Sequence, residues 1–136
     1  MQNIDYKPIP QQAMMGCGIA AIACSLGCSY KYLINKYKWI ANRHDLIGFD
    51  CNHLVKIFNN EGVNTVIKKV TTNTKFENGD IIFVKGDKLP YGHYLTKANK
   101  GFMDCWINYP KIYPRIQAGF VDKLPAKGLW VITKKR

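Results

Sequence analysis

The sequence has few acidic residues and very little arginine. Nine Asp and Glu stand against 20 Lys and Arg, which gives a net charge of +11, and only three of the basic residues are arginine. Such an excess favours anionic partners, among them nucleic acid, anionic lipid, cell-wall polymers and acidic proteins. Arginine is the residue that reads bases and clamps phosphates with two hydrogen bonds, so its scarcity argues against specific nucleic-acid binding. We expect a solvated basic surface that suits an anionic partner such as a cell-wall polymer.

Long hydrophobic runs are also missing. No apolar stretch approaches the roughly 18 residues that a membrane-spanning helix needs. The first twelve residues, MQNIDYKPIPQQ, lack the basic start and apolar segment of a secretory signal. The composition, 47% hydrophobic and 21% charged, is typical of a folded domain rather than a disordered chain. We therefore predict one domain over residues 1–136 with no membrane span, cytoplasmic by default, or virion-associated if a phage encodes it.

Cysteines are few, odd in number and never spaced as Cys-x-x-Cys. An odd count without a signal peptide argues against a disulfide framework. A zinc site would have to draw on five residues that fall within thirty positions: Cys24, Cys28, His44, Cys51 and His53. Cys24 and Cys28 lie among small apolar residues of a predicted helix, where buried thiols are common. We expect no metal.

The periodicity of the chain changes at Gly62. Before it, the pattern predicts three helices, which we place at about 16–26, 29–40 and 51–62. After it, short β-branched runs predict strands within 63–70, 79–86, 91–98, 101–108 and 128–135, with a long irregular loop at 110–128. The turn sequence Asn-Lys-Gly at 99–101 predicts a hairpin. Helices followed by an antiparallel sheet indicate an α+β fold, with N-terminal helices packed on a C-terminal sheet.

One stretch, QQAMMGCGIAAIA at residues 11–23, sets Cys17 between two glycines where a helix begins. Unpaired N–H groups and the helix dipole stabilise an anion there, so a cysteine gains thiolate character. Gly16 and Gly18 would let a substrate backbone approach closely. The same pattern is equally typical of a small residue packed at the start of a buried helix. Both interpretations of Cys17, nucleophile and core residue, stay open on this local evidence.

Two further residues bear on that choice. His93, in PYGHYLT, and Asp104, in GFMDCW, fall on the two strands of the predicted hairpin. On adjacent antiparallel strands an imidazole and a carboxylate can hydrogen-bond, and the carboxylate then orients the ring. An amide ahead of Cys17, from Gln11 or Gln12, can donate a hydrogen bond to an oxyanion.

These residues resemble a known family. A glutamine, five residues, then Cys-Gly and a small-residue helix is similar to the start of papain-like cysteine peptidases, in particular the bacteriocin-processing family that cleaves double-glycine leader peptides, and its stand-alone relatives. The contexts GHYL and MDCW match that family's strand histidine and the acid on the following strand. Cys105 stands where the family usually has proline. The likeness spans about residues 8–110.

The resemblance implies a papain-like fold and a cysteine hydrolase that cleaves a peptide bond without a cofactor. Its nucleophile, base, orienting acid and oxyanion donor would be, in that order, Cys17, His93, Asp104 and Gln11. The family's spacing favours Gln11 over Gln12. Papain itself uses an asparagine as the third member, so Asn108 stays an alternative to Asp104.

Other functions remain open beside a peptidase acting on a peptide or protein. A peptidoglycan amide is an alternative substrate, since papain-like folds also serve that reaction and a basic surface suits an anionic wall. A non-catalytic papain-like module is another, for example a structural component of a phage particle. The lysine bias and the 11 asparagines are typical of the AT-rich genomes that phages often have.

Overall fold

The helical half of the chain contains four helices. The structure, a computed structural model, describes residues 4–43 and 48–135. The helices are α1 (Cys17–Leu26), α2 (Tyr30–Lys36), α3 (Lys38–Arg43) and α4 (Cys51–Asn60). The prediction of one helix over 29–40 was wrong, because Tyr37 leaves the helical conformation at φ −110° and ψ 89°. Its buried hydroxyl instead donates to the Glu61 carboxylate at the end of α4.

Local signals set the ends of these helices. Gly27 ends α1 with φ 74°, a left-handed conformation that glycine adopts without strain. The Ser29 side chain accepts a hydrogen bond from the backbone N–H of Tyr32 and so caps α2. Asp50 caps α4 in the same way, and the His53 side chain accepts from the Asp50 N–H in return, which completes a capping box. The predicted ends of α1 and the predicted start of α4 are therefore confirmed, whereas α4 ends at Asn60 and not at the predicted residue 62.

The C-terminal half forms one six-stranded antiparallel sheet. The strands are β1 (Thr65–Lys69), β2 (Ile81–Gly86), β3 (Leu89–Ala98), β4 (Gly101–Asp104), β5 (Gly119–Val121) and β6 (Lys127–Lys134), in the order β1-β6-β2-β3-β4-β5. The β3–β4 hairpin is confirmed, with Ala98 paired to Gly101 across the predicted turn. Two boundaries were wrong. The strand predicted over 101–108 stops at Asp104, and the segment 110–128 contains β5 instead of being irregular throughout.

The helices cover one face of the sheet, with α1 packed against β3. Residues 18–25 of α1 are all buried, so the helix is enclosed on every side, as an uncharged helix requires. The Thr96 hydroxyl on β3 donates to the Ala21 carbonyl at 2.7 Å and fixes the helix to the strand. A second, smaller apolar cluster lies apart from this core and consists of Ile82, Val84, Leu95 and Val131. The chain is thus one α+β domain, as predicted.

The angle between α1 and α2 matters for whether these helices could cross a membrane. Within residues 4–43 and 48–135, no single helix combines the length and apolarity needed to cross a membrane. The pair α1 and α2 meets both criteria only when taken together, and the two helices meet at 107°.

Candidate active site

Cys17 is the first residue of α1, as predicted, and its side chain is half-buried. The flanking glycines serve internal packing. A β-carbon on Gly16 would lie 2.1 Å from the Tyr30 hydroxyl oxygen, and one on Gly18 would lie 3.1 Å from Leu54 Cδ2. The space that we expected for a substrate backbone is therefore filled by Tyr30 and Leu54. Glycine is needed at position 16 so that α1 can sit against α2.

His93 lies on β3 at a distorted part of the strand. Gly92, just before it, has φ 83°, and a β-carbon there would come within 2.1 Å of Phe83 Cζ. The β2–β3 register shifts between Val84 and Gly86, next to the Val84–His93 pair. Only glycine fits both the backbone conformation and the close approach of Phe83. The placement of His93 thus depends on Gly92.

The structure brings His93 and Asp104 into direct contact. His93 Nε2 is 2.7 Å from Asp104 Oδ1, and each residue is only 7% exposed. The β3–β4 register pairs Asp104 with Leu95, so the imidazole and carboxylate meet diagonally across the hairpin. The backbone N–H of Trp106 also donates to Asp104 Oδ1, at 2.9 Å, and holds the carboxylate from the other side.

The electrostatics of this pair favour its charged form. Burial by itself lowers the pKa of His93, but Cys105, Asp104 and Cys17 outweigh it and raise that pKa well above its usual range. Burial likewise raises the pKa of Asp104, yet the hydrogen bond and charge of His93, together with the Trp106 N–H, leave it lowered. With Nε2 bonded to Asp104, Nδ1 is the ring nitrogen left to hold a proton that a thiol gives up. Cys17 is also among the groups that raise the pKa of this imidazole.

Asn108 does not reach the imidazole in this arrangement. Its Nδ2 donates to the Arg115 carbonyl at 2.8 Å, and its Oδ1 accepts from the Gln117 N–H at 2.8 Å. Asn108 therefore braces the loop that follows β4. Of the two candidates for the third member, Asp104 is the one in contact with His93.

Gln11 is buried beside the site, but its amide is fully used. Nε2 donates to the carbonyls of Ala13 and Met14, at 2.8 and 3.0 Å, and Oε1 accepts from the Cys105 thiol at 3.1 Å. Both amide hydrogens thus hold the turn that leads into α1. The oxyanion role of Gln11 stays a prediction, and it requires one of these bonds to open.

Cys105 is the residue that sequence reasoning missed. It is 0% exposed, and its Sγ lies 3.1 Å from Gln11 Oε1, 4.0 Å from His93 Nε2 and 4.0 Å from the Cys17 carbonyl oxygen. Burial raises the pKa of its thiol to about 11, against the lowering effect of His93. Its position in the sequence, directly after Asp104 at the end of β4, could have identified Cys105 as a member of the site.

The zinc candidates from the helical half are engaged elsewhere or lie apart. His53 completes the capping box of α4, Cys51 accepts a hydrogen bond from the Tyr94 hydroxyl at 3.8 Å, and His44 lies outside the described residues. Burial raises the pKa of Cys24 to about 12 and that of Cys28 to about 11. In the part of the chain that the structure describes, the one set of three potential ligands is His93, Asp104 and Cys105, whose ligand atoms lie within 4.8 Å of one another.

Comparison with known proteins leaves the family open. No protein-family model matches the chain, and neither a curated protein nor a solved structure matches it. The likeness to papain-like peptidases stays a prediction based on the motifs around Gln11, Cys17, His93 and Asp104.

Proposed function

We propose that the protein is a cysteine hydrolase that cleaves an amide bond with Cys17 as nucleophile. The Cys17 proton resides on His93, and the thiolate attacks the amide carbonyl to form a tetrahedral oxyanion. His93 then protonates the leaving amine as the C–N bond breaks and the acyl-enzyme forms, and water, activated by the now neutral imidazole, releases the acyl group. Asp104 keeps the ring oriented and supports its charged form.

A single observation carries the proposal. The buried His93–Asp104 hydrogen bond of 2.7 Å, held further by the Trp106 N–H, lies in the same region as the start of α1, since the Cys105 sulfur is 4.0 Å from both His93 Nε2 and the Cys17 carbonyl oxygen. The charged pair costs desolvation, and a neighbouring thiol gains reactivity from it. The layout of helices on an antiparallel sheet is also what a papain-like fold requires, and we extend the proposal to that fold.

The oxyanion is best held by the main chain at the start of α1. The first N–H groups of a helix have no partner within the helix, and that of Cys17 is next to the attacking sulfur. Gln11 would join it only after releasing the carbonyl of Ala13 or Met14. We therefore assign the primary role to the backbone.

The substrate follows from charge and family resemblance. A peptide or protein is the default, and a peptidoglycan amide is the alternative that a protein of net charge +11 favours. Turnover of purified peptidoglycan against that of a peptide library separates the two.

A non-catalytic module, such as a phage-particle component, is the second candidate. One observation favours it: the amide of Gln11 and the spaces beside Gly16 and Gly18 are all occupied within the protein. In that case Cys17 is a packing residue, and Cys17→Ala leaves the biological role intact.

The experiment is the pH dependence of iodoacetamide labelling at each cysteine, followed by mass spectrometry. Cys17, Cys28 and Cys51 are all half-buried. Burial raises the pKa of the Cys28 and Cys51 thiols, so the comparison of wild type with His93→Ala at Cys17 is the decisive one. We expect Cys17 to label fastest of the three. His93→Ala should slow Cys17 labelling, whereas the control His53→Ala should not.

Two results would count against the hydrolase. Labelling of Cys17 no faster than that of Cys28 and Cys51 would make it a packing cysteine and favour the non-catalytic module. Equal slowing by His93→Ala and His53→Ala would mean that the effect comes from loss of folding rather than from loss of the base.

A further inference from the structure

The proposed reaction leaves one thiol of the site unused. The Cys105 thiol touches three other members of the site, through Gln11 Oε1, His93 Nε2 and the Cys17 carbonyl. Cys17 and Cys105 both raise the pKa of this imidazole. Two cysteines that are 88 positions apart in the sequence thus lie close together in the fold, with the Cys105 sulfur 4.0 Å from the main-chain oxygen of Cys17.

The two thiols differ in access to solvent. Cys17 is half-buried and open to a small reagent, whereas Cys105 is 0% exposed. Thiol oxidation follows thiolate character and exposure, so an oxidant reaches Cys17 first. Because solvent does not reach the Cys105 thiol, that thiol stays reduced and available to react with the oxidised sulfur of Cys17.

We propose that Cys17 and Cys105 form an oxidation site that reacts with a small hydroperoxide and closes to a disulfide. The Cys17 thiolate attacks the outer peroxide oxygen and forms an S–O bond to it, so that Cys17 becomes a sulfenic acid. The O–O bond breaks, and the other peroxide oxygen leaves as hydroxide or alkoxide. The Cys105 sulfur then attacks the sulfenic sulfur. The S–O bond breaks, and the Cys105 proton goes with the departing hydroxyl as water. The two thiols lose two electrons in total, and the peroxide gains them.

The structure places the Cys105 sulfur next to the main chain of Cys17. A disulfide places its Cα atoms about 4.4–6.8 Å apart. The Cys105 sulfur already lies 4.0 Å from the main-chain oxygen of Cys17. To form the disulfide, the Cys105 sulfur must move away from Gln11 Oε1, which is 3.1 Å from it. The hydrogen bond that breaks is weak, because a thiol is a poor donor. The disulfide would block the proposed nucleophile reversibly, and it would protect Cys17 from the irreversible sulfinic state.

The test uses the reduced full-length chain and hydrogen peroxide. Remaining thiols are blocked with iodoacetamide in denaturant, and disulfide-linked peptides are mapped by mass spectrometry without reduction. We expect an intact mass lower by two hydrogens, a Cys17–Cys105 linkage, and loss of Cys17 labelling that dithiothreitol restores. Cys105→Ser keeps a hydroxyl donor for Gln11, and in it we expect Cys17 to advance to sulfinic acid with labelling not restored. The control Cys51→Ser should behave as wild type.

The wild-type linkage map decides the proposal even if a variant does not fold. Cys105 linked to Cys24, or Cys17 linked to Cys28 or Cys51, overturns it. So does sulfinic acid at Cys17 with Cys105 still free, or no change at Cys17 at all.

The proposal shares Cys17 with the hydrolase but needs no turnover. Rapid alkylation of Cys17 without formation of a disulfide contradicts the oxidation site and leaves the hydrolase proposal standing. A Cys17–Cys105 disulfide, together with a Cys17 alkylation rate that His93→Ala does not change, contradicts the hydrolase and leaves the oxidation site standing.

Discussion

Replacing Asp104 with asparagine removes the negative charge of the buried His93–Asp104 pair and changes little else. In the wild type the Trp106 N–H donates to Asp104 Oδ1 at 2.9 Å, and it can still donate to the amide oxygen of the asparagine. The side-chain volume is nearly unchanged. Both members of the pair are 7% exposed, so solvent screens the interaction weakly. Removing one partner of a buried ion pair costs about 3–5 kcal/mol of unfolding free energy, and because Asn keeps an acceptor we expect the lower end.

The cost should depend on pH with a predictable sign. The folded pKa of His93 is raised, so its contribution is complete below its unfolded value of about 6.5 and is lost as pH rises through the folded pKa. The folded pKa of Asp104 is lowered, so its contribution is present above about 3.9 and is lost as pH falls through the folded pKa. The pair therefore stabilises most between about pH 4 and 6.5. Above the folded pKa of His93, a hydrogen bond of about 1 kcal/mol remains.

The assay is urea unfolding of wild type and Asp104→Asn at a series of pH values, with circular dichroism as the probe. Asp80→Asn is the matched control, since Asp80 is also buried but its pKa is raised, chiefly by burial. Its cost should fall as pH rises through the acidic range, whereas that of Asp104→Asn should grow. A cost for Asp104→Asn that is the same at every pH would refute the ion pair, and with it the charged state proposed for His93.

Two other substitutions test how the fold places the site. Gly92→Ala should lower the free energy of unfolding by about 1–3 kcal/mol, because φ is 83° and the new carbon meets Phe83; it should also slow alkylation of Cys17, and normal stability with normal labelling would show that Gly92 does not position His93. Asp50→Ala should cost about 1 kcal/mol by removing the cap of α4, seen as a lower urea midpoint with unchanged Cys17 labelling. An Asp50→Ala effect on labelling instead would mean that α4 helps to position the nucleophile.

Much of the fold could be predicted because its signals are local. Gly27 and Asp50 mark helix ends by their own backbone and side-chain chemistry, and the turn at 99–101 marks a hairpin in the same way. Where the prediction failed, the cause lay elsewhere in the chain. The helix break at Tyr37 accompanies a bond to Glu61, and the short strand β5 exists because it pairs with β4. Three residues carry too little pattern to mark a strand without their partner.

The same difference between local signals and distant contacts applies to the candidate site. The hairpin pattern was enough to place His93 near Asp104, since adjacent strands bring diagonal residues together. The surroundings were not predictable: Asn108 turns to its own loop, and Gln11 donates to two carbonyls. Each of these orientations depends on which backbone groups the packed chain leaves unpaired nearby.

The sequence by itself determined the class of fold, the ends of α1, the start of α4, and the pairing of His93 with Asp104, because hydrophobic period, caps and tight turns act over a few residues. Only the tertiary structure decided what surrounds Cys17. It filled the spaces beside the flanking glycines with Tyr30 and Leu54, and it buried the Cys105 thiol against Gln11 and His93. Those contacts join residues far apart in the chain, and no local pattern encodes which side chain fills a given space once helices and sheet are packed.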